Sequence, residues 1–378
     1  VIVTVSISNP MVFSDFEKNV DAILGDFGVQ VEALLDIVEN LEISADFSIR
    51  HPNYQPWEMP AEMLSRIQAL PKEIQDKYMS LQLRSFLYGI YYNGSMQASQ
   101  ALGSENKGQQ LDLENNSFAG VAMDFYLQLE EANKGKGYFD SGWSILREET
   151  DGSLAVTKGG LRLHIQREKH LQESEQAAAV GGVVSILMPK NFVQNGFYMA
   201  VGNAGLQREE AMVRLYFNVT PEGAVAVMTG LTERLNQRGI PFSFKALYNP
   251  VDYQRYDAGV LYFGKTDYEL VRQVVAHVYQ ENLSVFKPEV PLFTLELAPG
   301  LGLAEEPDKK FGSEESFGMN RCQIIANGLL MAWQQEDNSA AGRITAISEQ
   351  FSGLGIDWQR PYLNADSEDV YQGLELAG

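Results

Sequence analysis

Val213-Arg214-Leu215-Tyr216-Phe217-Asn218-Val219 alternates strictly between apolar and polar side chains. Successive side chains of a strand point to opposite faces. The alternation therefore predicts a buried face of Val213, Leu215, Phe217 and Val219 and a polar face of Arg214, Tyr216 and Asn218. PFSFKALY (241–248) repeats the pattern, with Phe242, Phe244 and Ala246 against Ser243 and Lys245. LRLHIQ (161–166) sets Leu161, Leu163 and Ile165 against Arg162, His164 and Gln166. VVSILMP (183–189), GFYMAVG (196–202) and AGVLYFG (258–264) read as further strands.

Helical signals lie between these strands. Thr220-Pro221-Glu222 offers a cap, a first-turn proline and a first-turn acid, and the helix it opens runs to Gly239. Asp267–Asn282, Ser316–Trp333 and Phe118–Glu131 are also expected to be helical. No strict βαβ rhythm links them, so the expected class is α+β, a mixed or antiparallel sheet with flanking helices.

Upstream, the texture from about Ser14 to Leu113 is helical. Val20, Ile23, Leu24, Phe27, Val31, Leu34, Leu35 and Val38 fall on one stripe. After the break HPNYQPWEMP (51–60), helices resume over Ala61–Leu70 and Pro71–Tyr92. Gly103–Asn116 lacks an apolar period and reads as a linker or exposed loop. At 378 residues the chain is expected to form two domains, a helical one over 1–116 and an α+β one over 117–378.

Composition bounds the function. With 29 basic and 50 acidic residues the chain carries −21, which repels nucleic-acid phosphates and anionic lipids. Neither nucleic acid nor a membrane is an expected partner, and no apolar run nears the ~20 residues that span a bilayer. The opening VIVTVSISNPMVF has no basic leader, and Cys322 is the single cysteine, so the expected setting is the reducing cytoplasm. Phosphate-loop, zinc-protease and serine-elbow motifs are absent, and no metal or other cofactor is expected. Gly135–Gly142 lacks the spacing of a nucleotide loop and reads as a turn.

Of the four histidines, His51, His170 and His277 suit structural or surface roles. His164 stands apart because it shares a strand face with Arg162. If the polar-faced strands are neighbours, Arg162, His164, Arg214, Tyr216 and Lys245 converge into a basic patch suited to a dianion.

At these residues the sequence resembles a known group. Arg162-Leu163-His164-Ile165 is similar to the Lys-Phe-His-Ile strand of bacterial phosphothreonine lyases, with Arg for Lys. From about Asn133 onward the chain resembles the HopA-type effector family. The residues that carry this likeness are NKGKGYFDSGW (133–143), KGGLRLHI (158–165), MPKN (188–191), VRLYFNV (213–219), FKALYNPVDYQRYDAGVLYF (244–263), PGLGLAEEP (299–307), ESFGMNR (315–321) and RPYL (360–363). Relatives of that family serve as the lyase component of class V lanthipeptide synthesis.

The resemblance implies a phosphothreonine-lyase-like domain that eliminates phosphate from phosphorylated Ser or Thr of a peptide or protein. A partner kinase and a cyclase would act beside it. It implies His164 as general acid, Lys190 as base, Tyr216 in the catalytic set, and Arg162, Arg208, Arg214, Lys245, Arg255 and Arg321 as phosphate-binding residues. Such a reaction needs a base at Cα–H, an acid at the bridging oxygen and cations around the phosphate. The alternative is a HopA-type protein-interaction or phosphopeptide-binding module without turnover.

Overall fold

The computed structural model describes residues 29–102, 120–207 and 211–374. In chain order the first elements are α1 (Val29–Asn40), β1 (Glu42–Ile43), β2 (Ile49–His51), β3 (Tyr54–Trp57), α2 (Ala61–Gln68), α3 (Lys72–Leu87) and the short α4 (Gln97–Gln100). Then come α5 (Met123–Ala132), β4 (Tyr138–Glu148), β5 (Leu154–Lys158), β6 (Leu161–Ile165), α6 (Arg167–His170), β7 (Val183–Met188), β8 (Asn191–Gln194) and β9 (Phe197–Val201). The rest are β10 (Met212–Phe217), α7 (Pro221–Gln237), β11 (Phe242–Leu247), β12 (Gly259–Gly264), α8 (Tyr268–Glu281), β13 (Leu295–Ala298), β14 (Leu301–Glu305), α9 (Phe317–Gln334) and α10 (Ala340–Gly353). The class is α+β, and the pairings among the described residues are antiparallel.

The chain forms two compact units. One holds residues 1–110, 291–295 and 307–369; the other holds 111–290, 296–306 and 370–378. This differs from two consecutive domains over 1–116 and 117–378, because the chain returns to the first unit near its end. The reason is visible in the packing: α3 lies on α9, and α1 on α10. Ser80 Oγ donates to Asn327 Oδ1 at 2.7 Å, and Arg343 Nη1 donates to the carbonyl of Val38 at 2.8 Å. The first unit is also not purely helical, since Glu42–Trp57 forms the small sheet β1-β2-β3. His51 in that sheet is structural: its Nδ1 accepts the Asn53 N–H at 3.1 Å, and Nε2 lies 3.3 Å from Asp36. Val20, Ile23, Leu24, Phe27 and the loop Gly103–Asn116 lie outside the described residues.

The second unit contains two sheets. The larger runs β13-β14-β10-β12-β11-β9-β8, the smaller β6-β5-β4-β7. In the larger sheet Leu215, Phe217, Phe244 and Leu261 are buried on one face, as their alternation predicts. Each such burial is worth about 1.5–3 kcal/mol. α7 packs against β11 and α8. The Thr220 hydroxyl accepts the Gly223 N–H at 3.1 Å, with Pro221 in the first turn. The smaller sheet buries Trp143, Ile145, Leu154, Val156, Ile165 and Ile186 on one side. Gly159 and Gly160 turn β5 into β6 with φ of 55° and 82°, the left-handed pair that a two-residue hairpin demands.

Candidate functional site

β12 is central to the polar face of the seven-stranded sheet. Arg214 pairs with Tyr262, which pairs with Ser243; one row along, Tyr216 pairs with Val260, which pairs with Lys245. Cross-strand partners share a face, so Arg214, Tyr216, Ser243, Lys245 and Tyr262 lie together opposite the apolar core. The strand neighbours needed to bring Arg214, Tyr216 and Lys245 onto one surface are therefore present.

Each cation has a distinct environment. Arg214 is buried and ion-paired with Glu306, and its guanidinium carbon lies 5.1 Å from the Tyr262 ring centre. Lys245 Nζ lies 4.5 Å from the centre of the Phe197 ring and 5.6 Å from that of Tyr262. Arg255 packs on the same Phe197 ring at 5.8 Å and forms a two-pronged pair with Asp257, at 2.5 Å and 2.8 Å. Among the described residues no carboxylate pairs with Lys245. Asn218, one row further on, is 1% exposed, and its Nδ2 donates to the Glu289 carbonyl at 2.9 Å.

The face can therefore hold an anion at Lys245, where the aromatic rings give a cation a favourable bed worth about 0.5–2 kcal/mol. Arg214 and Arg255 are paired with Glu306 and Asp257, and Asp252 also interacts with Arg255, so Lys245 is the cation of this face without a carboxylate partner among the described residues.

The other expected residues lie elsewhere. Arg162 and His164 sit on β6, the outer strand of the smaller sheet, and both are exposed. His164 Nδ1 lies 3.6 Å from Glu149, beside the β4–β5 turn. Lys190 follows β7 at the diagonally opposite corner. In register, His164 aligns through Ala155 with Arg147, whereas Lys190 lies beyond the pair Tyr138 and Met188. That separates them by three strand spacings, ~14 Å, and by more than ~20 Å along the strands. The expected acid–base pair is not assembled.

Lys190 has a structural occupation instead. Its Nζ donates to the carbonyls of Glu130 and Asn133 at 2.8 Å and 3.0 Å and ion-pairs with the Glu130 carboxylate at 3.1 Å. Two carbonyls and a carboxylate thus already surround its Nζ, which turns it toward the helix end rather than toward a ligand. The carbonyls are those exposed by the end of α5, where a lysine is favoured. Tyr198 completes the clasp, donating to Glu130 at 2.6 Å; burial, then this bond, push its phenol pKa well up.

Arg321 belongs to the first unit and is fully buried. It donates to the carbonyls of Pro361 and Leu363 at 2.7 Å and 2.9 Å, so it braces the RPYL segment rather than offering its fork to a ligand. Arg208 lies outside the described residues. Sequence reasoning missed Tyr262 and Phe197, which bed the cations, and Asp257 and Glu306, which pair with them. Only Asp257, two residues from Arg255, left a local signal.

Among the described residues no cluster of three or more His, Cys, Asp or Glu could hold a metal, and no helix is long and apolar enough to cross a membrane. Solved structures similar to the chain include those of two effector proteins. The structure of the effector protein from Pseudomonas syringae pv. tomato strain DC3000 is 20% identical, with a TM-score of 0.40, covering 64% of this chain and 81% of that one. The effector protein from Pseudomonas syringae pv. syringae strain 61 is 15% identical, with the same TM-score of 0.40 and the same coverage, 64% and 81%. No curated protein matches the chain. Residues 188–363, which include Lys190, Arg214, Tyr216, Lys245, Arg255 and Arg321 but neither Arg162 nor His164, match the model of the HopA1 effector protein family.

Proposed function

We propose that the polar face of the seven-stranded sheet recognises a phosphorylated Ser or Thr side chain of a peptide or protein. The observation that carries this reading is Lys245, a cation bedded on Phe197 and Tyr262 with no carboxylate partner among the described residues. Arg214 and Arg255 stand on either side on the same two rings. A phosphate dianion gives Lys245 a charge-assisted hydrogen bond worth about 1.5–3 kcal/mol.

Elimination is the second reading, favoured by the row that sets Tyr216 and Lys245 on one face with Val260 between them. Two strand spacings, ~10 Å, leave room for a phosphorylated residue between a hydroxyl and an amine. The amine of Lys245, once deprotonated, takes the Cα proton; the Cβ–O bond breaks as the Cα=Cβ bond forms. Tyr216 protonates the departing phosphate oxygen. The product is a dehydroamino acid, in a lanthipeptide setting supplied by a kinase and consumed by a cyclase. Lys190 and His164 take no part in either reading.

One experiment separates the readings. The chain is mixed with a phosphothreonine peptide and its unphosphorylated twin, binding is followed by fluorescence anisotropy, and the recovered peptide is weighed by mass spectrometry. Preferential binding with the phosphate retained, reduced at least tenfold by Lys245→Gln, supports recognition. Loss of phosphoric acid that Lys245→Gln abolishes supports elimination. Equal binding of both peptides with no mass loss rejects both.

A further inference from the structure

The strand carrying Arg162 and His164 is not absorbed by the site above, yet its position is unusual. β6 ends the order β6-β5-β4-β7. Among the described residues no main-chain bond reaches its outer side. Two of the unit's other edges are guarded: Leu171 bridges Ile186 on β7, and Leu374 donates to the Leu297 carbonyl on β13 at 2.8 Å. Natural sheets blunt an exposed edge with proline, a bulge or a covering segment. β6 has no proline, and its five residues run in unbroken register with β5.

The side chains of this edge are charged in a particular way. Arg162, Thr157 and Ser144 form one row of the outer face; His164, Ala155 and Arg147 form the next. Three basic side chains thus share this face; at its turn end Glu149 meets Arg147 and His164, and Asp151 lies near His164, while the Arg162 end is clear of carboxylates among the described residues. Arg162 has no carboxylate partner among the described residues, and Leu161 beside it is 54% exposed. On a chain of −21 this is a place where an acidic segment can approach.

We propose that β6 is a docking edge for an extended, acidic segment of a partner protein, which adds a strand beside Leu161–Ile165. Main-chain bonds to the open edge supply affinity, and Arg162 and His164 read acidic side chains at alternate positions, the spacing that faces one side of a strand. The surface is separate from the phosphate-recognising face and needs no phosphoryl group.

The test uses the full chain and three synthetic peptides: Thr-Val-Glu-Val-Glu-Val-Thr, its counterpart with Lys for Glu, and a version of the first N-methylated at alternate residues. Binding is measured by fluorescence anisotropy, and main-chain protection by hydrogen exchange. The acidic peptide is expected to bind, to slow exchange in residues 161–165, and to lose at least tenfold with Arg162→Glu, while the lysine peptide gains with that variant. Binding of the N-methylated peptide as tightly as its parent, indifference to Arg162→Glu, or no binding at all overturns the proposal. None of these peptides carries phosphate, so the outcome is independent of Lys245.

Discussion

The ammonium of Lys190 holds both ends of one residue, the main-chain carbonyl of Glu130 at 2.8 Å and its carboxylate at 3.1 Å. A side chain so engaged ties the end of α5 to the β7–β8 connection. Lys190→Ala leaves two helix-end carbonyls and a carboxylate short of a donor, at a cost of about 1–3 kcal/mol. Urea unfolding should show an earlier midpoint with an unchanged slope, and phosphopeptide binding should persist. Loss of binding without loss of stability would return Lys190 to the ligand site.

Arg255 and Asp257 form a pair in which both residues are about 5% exposed. Asp257→Asn keeps the shape but removes the charge that compensates the guanidinium. Breaking a buried pair on one side costs about 3–5 kcal/mol. The double variant Arg255→Met, Asp257→Leu is expected to recover much of that loss. Equilibrium unfolding of Arg255→Met, Asp257→Leu and the double gives the coupling directly.

Cys322 lies on α9 and is fully buried, which pushes its thiol pKa well up. The thiolate is the reactive form, so a disulfide reagent at pH 8 should leave the folded chain untouched. One equivalent should react once the chain is unfolded in guanidinium.

Two glycines should respond unequally to substitution. Gly137 has φ 88°, and a β-carbon there would stand 2.3 Å from the Met188 carbonyl oxygen. Gly137→Ala is therefore expected to cost more than ~1 kcal/mol and to loosen the β4–β7 pairing. Gly159 has φ 55° with open space around it, so Gly159→Asn should shift the melting temperature little. Thermal denaturation of the two variants compares them.

Much of the fold was legible because it is written locally. The alternation of Val213–Val219 set its two faces correctly, and the cap at Thr220 marked the start of α7 at Pro221. Ser316 likewise caps α9, accepting the Met319 N–H. The strands β4, β5, β8, β13 and β14 and the small sheet of the first unit were missed, being short, glycine-rich or without a clean period. The site was half legible. Local alternation placed Arg214, Tyr216 and Lys245 on polar faces, and the sheet brought those faces together. Whether His164 could meet Lys190 depended on strand order, a long-range property that no spacing in the chain carries. The same holds for Glu306, which reaches Arg214 across 92 positions.

The first unit finds its partners late. Ser80 waits for Asn327, and Val38 waits for Arg343, 305 residues downstream. During synthesis the helices α1 and α3 must leave the ribosome with their apolar stripes bare until residues 327 and 343 have emerged. Closing so long a loop is slow, and in that interval the nascent chain needs a holding chaperone or an early collapse of the second unit. A fragment ending near residue 306 should consequently be insoluble even though it carries the whole seven-stranded sheet.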